Sequence, residues 1–246
     1  MKTKHVLMAL AMGVVANFSF AGGQGTVMQE AWDAMDSSST VKVDNKWDYV
    51  RFMPQSSAER KAACFVFYPG GLVSPYAYAP YTRALAEEGY ISFILKLPIG
   101  LAILEPNAAN DAKRDTYAKQ HCTKYVIGGH SLGGTMATDY VNSHPNDGLV
   151  LLASYPQDST SIADQTNTIV SSIYGTRDCQ TTLADIDASR DNLPANTTYT
   201  EIAGANHPQF GWYGDDTTGN CTATISRDAQ AGIFIAETLR VLDLHD

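Results

Sequence analysis

No apolar run long enough to span a bilayer occurs in this 246-residue chain. Its most apolar stretch, Val6 to Val15, falls well short of the roughly 20 residues a transmembrane helix needs. Neither C-x-x-C nor H-x-x-x-H spacing occurs among four cysteines and six histidines, which argues against a zinc site. Positive charge is scarce: 17 Lys and Arg stand against 26 Asp and Glu, for a net charge of −9. So acidic a chain is a poor match for nucleic acid or an anionic membrane. No Pro/Ser-rich linker, charge block, internal repeat or low-complexity tract divides it. With 44% hydrophobic residues it can bury one sizeable core, so the expectation is a single domain over residues 22–246.

The first 21 residues read as a leader. Lys2 and Lys4 precede the apolar stretch, and Ser19-Phe20-Ala21 forms a small-x-small cleavage signal before Gly22. A signal peptide over 1–21 implies a periplasmic or secreted mature chain with no stable membrane insertion after cleavage, and the chain is expected to be a monomer. Loss of the two lysines takes the net charge to −11. Asn196-Thr197-Thr198 and Asn220-Cys221-Thr222 match glycosylation sequons, relevant only in a host that glycosylates exported proteins.

Chemistry enters at Gly129-His130-Ser131-Leu132-Gly133, a G-x-S-x-G sequence between an apolar run, Lys124 to Gly128, and a segment with helical apolar spacing, Leu132 to Val141. Such a strand-to-helix turn holds its serine strained and exposed, and the glycines leave room for close packing of the helix on its neighbours. The bland reading is a Gly/Ser turn that merely joins two elements.

A serine nucleophile needs a histidine base and a carboxylate, in the chain order Ser, acid, His. His5 lies in the leader, His121 and His144 are misplaced, His130 belongs to the turn, and His245 is next to last. His207 remains, in the loop Ala203 to Pro208 after the strand-like Thr198 to Ile202. For the acid, Asp178 is best placed, in the turn Gly175 to Asp178 after the apolar run Thr168 to Tyr174, because ligands bind beyond the carboxyl ends of parallel strands. Asp158 is the alternative. Asp185, Asp187 and Asp191 fit a solvated helix face. Tyr68-Pro69-Gly70-Gly71-Leu72 follows the apolar run Phe65 to Phe67 and supplies an oxyanion turn, with the N–H groups of Gly71 and Leu132 as donors and Leu72 as the fallback.

Strands are expected at 47–53, 64–68, 90–96, 124–128, 148–153, 168–174 and 197–202. Helices are expected at 76–88, 107–120, 131–143, 181–190 and 225–243. This alternation implies an α/β fold with a mostly parallel sheet covered by helices on both faces. Only Tyr155 to Asn167 separates the strand after the turn from the next, which leaves no room for a large lid there.

The order of these motifs resembles the α/β-hydrolases, and within them the small, lidless dienelactone-hydrolase-like or carboxymethylenebutenolidase-like group. The resemblance covers most of residues 38 to 242. It rests on Phe67 to Gly71, Ala77 to Tyr81, Lys96 to Pro98, Gly128 to Gly134, Tyr174 to Asp178 and Asn206 to Gly214. The chain is also similar to secreted lipases, cutinases and polyester hydrolases. Dienelactone hydrolases use a cysteine nucleophile where this chain has Ser131, so dienelactone is not the expected substrate. In the fold so implied, the strands after Cys64 and Cys122 are neighbours, and Cys179 and Cys221 sit beside the acid and beyond the base. Export then favours disulfides 64 to 122 and 179 to 221. Four buried thiols are the alternative.

These features lead to an exported serine hydrolase of carboxylic esters, needing no cofactor or metal, with Ser131, His207 and Asp178 as its triad. Pocket candidates are Leu72, Leu97, Ile99, Leu101, His130, Trp212 and Tyr213, with ordinary core packing the preferred reading for the aliphatic Leu97, Ile99 and Leu101. A peptidase or acyltransferase with the same triad, or an inactive binding module on the same fold, are the other readings.

Overall fold

The computed structural model describes residues 26–57, 60–144, 146–214 and 220–246; the expected leader lies outside the described residues. Eight strands form one sheet: β1 Val41–Asn45, β2 Tyr49–Pro54, β3 Ala63–Tyr68, β4 Ile91–Leu95, β5 Lys124–His130, β6 Gly148–Leu152, β7 Ile169–Gly175 and β8 Thr198–Ile202. Their spatial order is β1-β2-β4-β3-β5-β6-β7-β8. β2 is antiparallel to both β1 and β4, and every pairing from β4 through β8 is parallel.

Strand periodicity divides the interior in two. Phe65, Phe67, Val126, Val150 and Leu152 face a core capped by α1 Gln29–Asp33, α2 Ala79–Glu87 and α7 Arg227–Asp243. Cys64, Val66, Tyr68, Ile127, Leu149 and Leu151 face a second core, covered by α3 Ala109–Arg114, α4 Thr116–His121 and α5 Leu132–Ser143. Burial on both faces is why β3 and β6 are unbroken apolar runs instead of alternating ones, and why β4 is interrupted only by Ser92, whose buried hydroxyl donates to the Thr82 carbonyl. α6 Leu183–Ala188 lies between β7 and β8 and starts with a capping box built by Thr182 and Asp185. Among the described residues no helix is long and apolar enough to cross a membrane.

The structure departs from the sequence expectation in local ways. The helix expected at 107–120 is two helices, broken at Asp115, whose backbone is extended (φ −52°, ψ 135°). The Asp115 carboxylate caps the second helix by accepting from the N–H groups of Tyr117 and Ala118, and it also binds Arg51 and Tyr49. Arg51 is buried between Asp115 and Asp44, so a continuous helix would strip a buried guanidinium of one partner. Burial tends to raise the Asp115 carboxyl, but Tyr49, the Ala118 N–H and Arg51 outweigh it and hold it below the usual carboxylate range. The helix expected at 76–88 begins as a 3-10 turn, Pro75–Tyr78. β1, a half-exposed edge strand, and the five-residue α1 were not expected at all.

Two disulfides are present. Cys64–Cys122 ties the start of β3 to the end of α4, and Cys179–Cys221 joins the turn after β7 to the segment before α7.

Candidate active site

Because β3, β5, β7 and β8 run parallel, their carboxyl ends share one edge of the sheet, and each expected site residue follows one of these ends. Gly71 comes after β3, Ser131 after β5, Asp178 after β7 and His207 after β8.

Ser131 sits between β5 and α5 with φ 53° and ψ −128°, a left-handed conformation costly for any residue with a side chain. Its surroundings enforce it. The Ser131 N–H donates to the Leu152 carbonyl at 3.0 Å, and its own carbonyl accepts from the Gly134 N–H at 2.9 Å and from Ser154 Oγ at 2.7 Å. A Cβ at Gly129 would come within 2.4 Å of the Gly133 backbone, and one at Gly133 within 2.2 Å of the Tyr68 carbonyl oxygen. The two motif glycines thus let α5 start directly against the end of β3, bringing the Pro69 turn next to the serine.

His207 and Asp178 are joined directly, with Nδ1 to Oδ2 at 2.8 Å and both side chains almost fully buried. The other carboxylate oxygen, Oδ1, accepts from the N–H groups of Gln180 and Thr181, both at 2.8 Å. With Nδ1 engaged by Asp178, Nε2 is the ring nitrogen outside this bond. The turn that carries Asp178 lies tightly on the base loop: a Cβ at Gly175 would meet the Ala205 carbonyl oxygen at 2.3 Å, and the Arg177 N–H donates to that carbonyl. Asp158, the alternative acid, is exposed in a turn and makes no bond to His207. The His207 ring is 4.6 Å from that of His130, so the base loop reaches the serine turn.

On the oxyanion side, the Leu72 N–H is taken by the Gly100 carbonyl at 2.8 Å, which removes the fallback donor. Among the described residues the N–H groups of Gly71 and Leu132 have no protein acceptor. Leu132 opens α5, whose N-terminal N–H groups and dipole favour negative charge.

A pocket of about 300 Å³ lies against the Pro69 turn, walled by Val73, Leu95, Leu97 and Ile99, with Ser74 and Lys96 as its polar side chains. Of the expected pocket residues, only Leu97 and Ile99 line it. Trp212 and Tyr213 are buried in the first core, Trp212 edge-on to Phe234. His130 is buried beneath the turn, and Leu72 is fixed by its backbone to Gly100. Among the described residues no cluster of His, Cys, Asp or Glu is arranged to hold a metal ion.

Sequence reasoning missed the supports of the base loop. Gln230, fully buried in α7, brackets Asn206 by donating to its carbonyl at 2.9 Å and accepting from its N–H at 3.2 Å. A glutamine on an amphipathic helix carries no signal that it turns inward. Asn206 Nδ2 also donates to the carbonyl of Cys221 at 2.9 Å, so the Cys179–Cys221 bridge ties the residue after Asp178 to a segment that holds the residue before His207. With a separation of 42 residues the bridge contributes about 4 kcal/mol in the chain-entropy model. The double variant Cys179→Ser/Cys221→Ser should therefore lose its activity on heating several degrees before the sheet melts. Parallel assays and circular dichroism check this, and coincident loss of both signals would contradict it.

A parallel sheet with an antiparallel start, and a serine, a histidine–aspartate pair and two unpaired N–H groups gathered at its carboxyl edge, define a class of hydrolase scaffold. A family model described as the alpha/beta hydrolase family matches residues 64–232, and the chain belongs to that family. No curated protein matches the sequence. Among solved structures it is similar to a dienelactone hydrolase from Anabaena variabilis, with TM-score 0.62 and 14% identity over 82% of this chain and 99% of the other. It is also similar to a CIB-like hydrolase from Thermoplasma acidophilum, with TM-score 0.57 and 14% identity over 81% and 99%. The esterase domain of a Rhodothermus marinus protein gives TM-score 0.57 and 12% identity over 82% and 98%. These identities establish a shared fold.

Proposed function

We propose that this protein is an exported serine hydrolase of carboxylic esters. The observation that carries this reading is the buried His207–Asp178 pair at 2.8 Å beside a serine held at positive φ on a strand-to-helix turn. Ser131 Oγ attacks the ester carbonyl while His207 Nε2 takes its proton, and Asp178 stabilises the imidazolium that forms. The N–H groups of Gly71 and Leu132 receive the oxyanion. His207 then protonates the departing alcohol, and water, activated by the same ring, releases the acid. The esterase and dienelactone hydrolase among the structural neighbours point the same way. The two disulfides are in keeping with an oxidising, extracytoplasmic location.

A fluorophosphonate probe tests the reading. A single adduct, mapped to Ser131, is the expected result, together with turnover of p-nitrophenyl esters and loss of that turnover on labelling. Absence of labelling, or an adduct at another serine, would count against it. Turnover of amides in preference to esters would favour a peptidase.

A further inference from the structure

Two buried side chains that the chemistry above does not use connect the oxyanion turn to the base. Tyr78 ends the 3-10 turn Pro75–Tyr78 and His130 ends β5; they are 0% and 1% exposed. Tyr78 Oη lies 3.1 Å from the Gly70 nitrogen and 2.8 Å from His130 Nδ1. The Gly70 N–H donates to this oxygen, which is also hydrogen-bonded to His130 Nδ1. Burial keeps the Tyr78 phenol protonated, and burial together with the adjacent His207 keeps His130 well below the ordinary histidine range, hence neutral. The turn rests directly on this pair: a Cβ at Gly70 would lie 2.8 Å from His130 Nδ1 and 2.9 Å from Tyr78 Oη.

We propose that Tyr78 and His130 are positioning residues that set the Gly70–Gly71 turn against His207, so that the Gly71 N–H meets the developing oxyanion. The proposal rests on the ester-hydrolase reading and goes beyond it, since neither side chain touches substrate. The bond at Gly70 fixes the peptide that precedes the Gly71 N–H, which has no protein acceptor of its own. Neutrality of His130 matters as well. A cation whose ring lay 4.6 Å from His207 would oppose formation of the imidazolium that catalysis requires.

The test is Tyr78→Phe, which removes one oxygen from a packed site. Per active site titrated with fluorophosphonate, kcat on p-nitrophenyl butyrate should fall by about tenfold to a hundredfold, because a displaced donor loses most of its effect, while KM stays within about twofold. The inhibition constant of phenylboronic acid, which forms a tetrahedral adduct on serine, should rise by the same factor. A side chain with a merely structural role would lower the titrated fraction and leave the rate per site alone, and that result would overturn the proposal. A second pair of variants guards against misfolding: His130→Asn, which keeps a polar acceptor near the Nδ1 position, should retain several-fold more turnover per site than His130→Leu. Equal activity in the two would also overturn it. If the wild type takes no fluorophosphonate at Ser131, the ester-hydrolase reading itself has failed, a result distinct from either of these.

Discussion

Replacing Ser131 with alanine is expected to lower kcat for ester hydrolysis by about a million-fold, the scale found when a serine nucleophile is removed from a triad. The fold should survive. The contacts that hold this residue are made by its backbone, with its N–H on the Leu152 carbonyl and its carbonyl receiving Gly134 and Ser154. Alanine keeps all of these and endures the same φ of 53°, so it neither relieves the turn nor opens a cavity in either core. Steady-state assays with a p-nitrophenyl ester, together with a melting curve, check both halves of the expectation. Near-normal turnover by a purified, folded variant would remove Ser131 from the mechanism.

Asp178→Asn should cost about four orders of magnitude in kcat, and the surroundings of the carboxylate say why. Oδ1 accepts two backbone N–H groups, from Gln180 and Thr181, which an amide oxygen can also do but an amide nitrogen cannot. Asparagine must therefore place its oxygen there and turn its NH₂ toward His207. Nδ1 then becomes the acceptor, the ring proton moves to Nε2, and the nitrogen proposed to take the serine's proton no longer can. Asp158→Asn, at an exposed turn with no bond to His207, should stay within about twofold of wild type, as surface substitutions away from a site usually do. If Asp158→Asn were the crippling change and Asp178→Asn the mild one, the acid would be misassigned.

The alternation of elements was legible because burial of the sheet on both faces writes apolar runs that end in turn residues, and these survive in any one sequence. The serine turn was legible for a steric reason: a Cβ at Gly129 or Gly133 would fall 2.4 or 2.2 Å from neighbouring backbone, so the demand appears as residue identity. What stayed hidden was set by distant partners. Asp115 looks like an ordinary helical residue until Arg51, 64 positions away, claims its carboxylate and breaks the helix. Tyr78 and His130 are 52 residues apart and meet only because β5 passes beneath the Pro69 turn. Trp212 and Tyr213 follow the base loop directly, which made them plausible as pocket wall. The same closeness to α7 that lets Gln230 hold Asn206 draws them into the core instead.

The segment between β6 and β7 is short, and among the described residues nothing large overhangs the carboxyl edge of the sheet. On the proposed mechanism this governs the fate of the acylated serine. With no cover to shut out solvent or to concentrate a second alcohol, the intermediate faces the most abundant nucleophile in any aqueous medium, and its partition is decided by concentration instead of selection. On that mechanism, the open edge formed by the described residues leaves the acyl group to water.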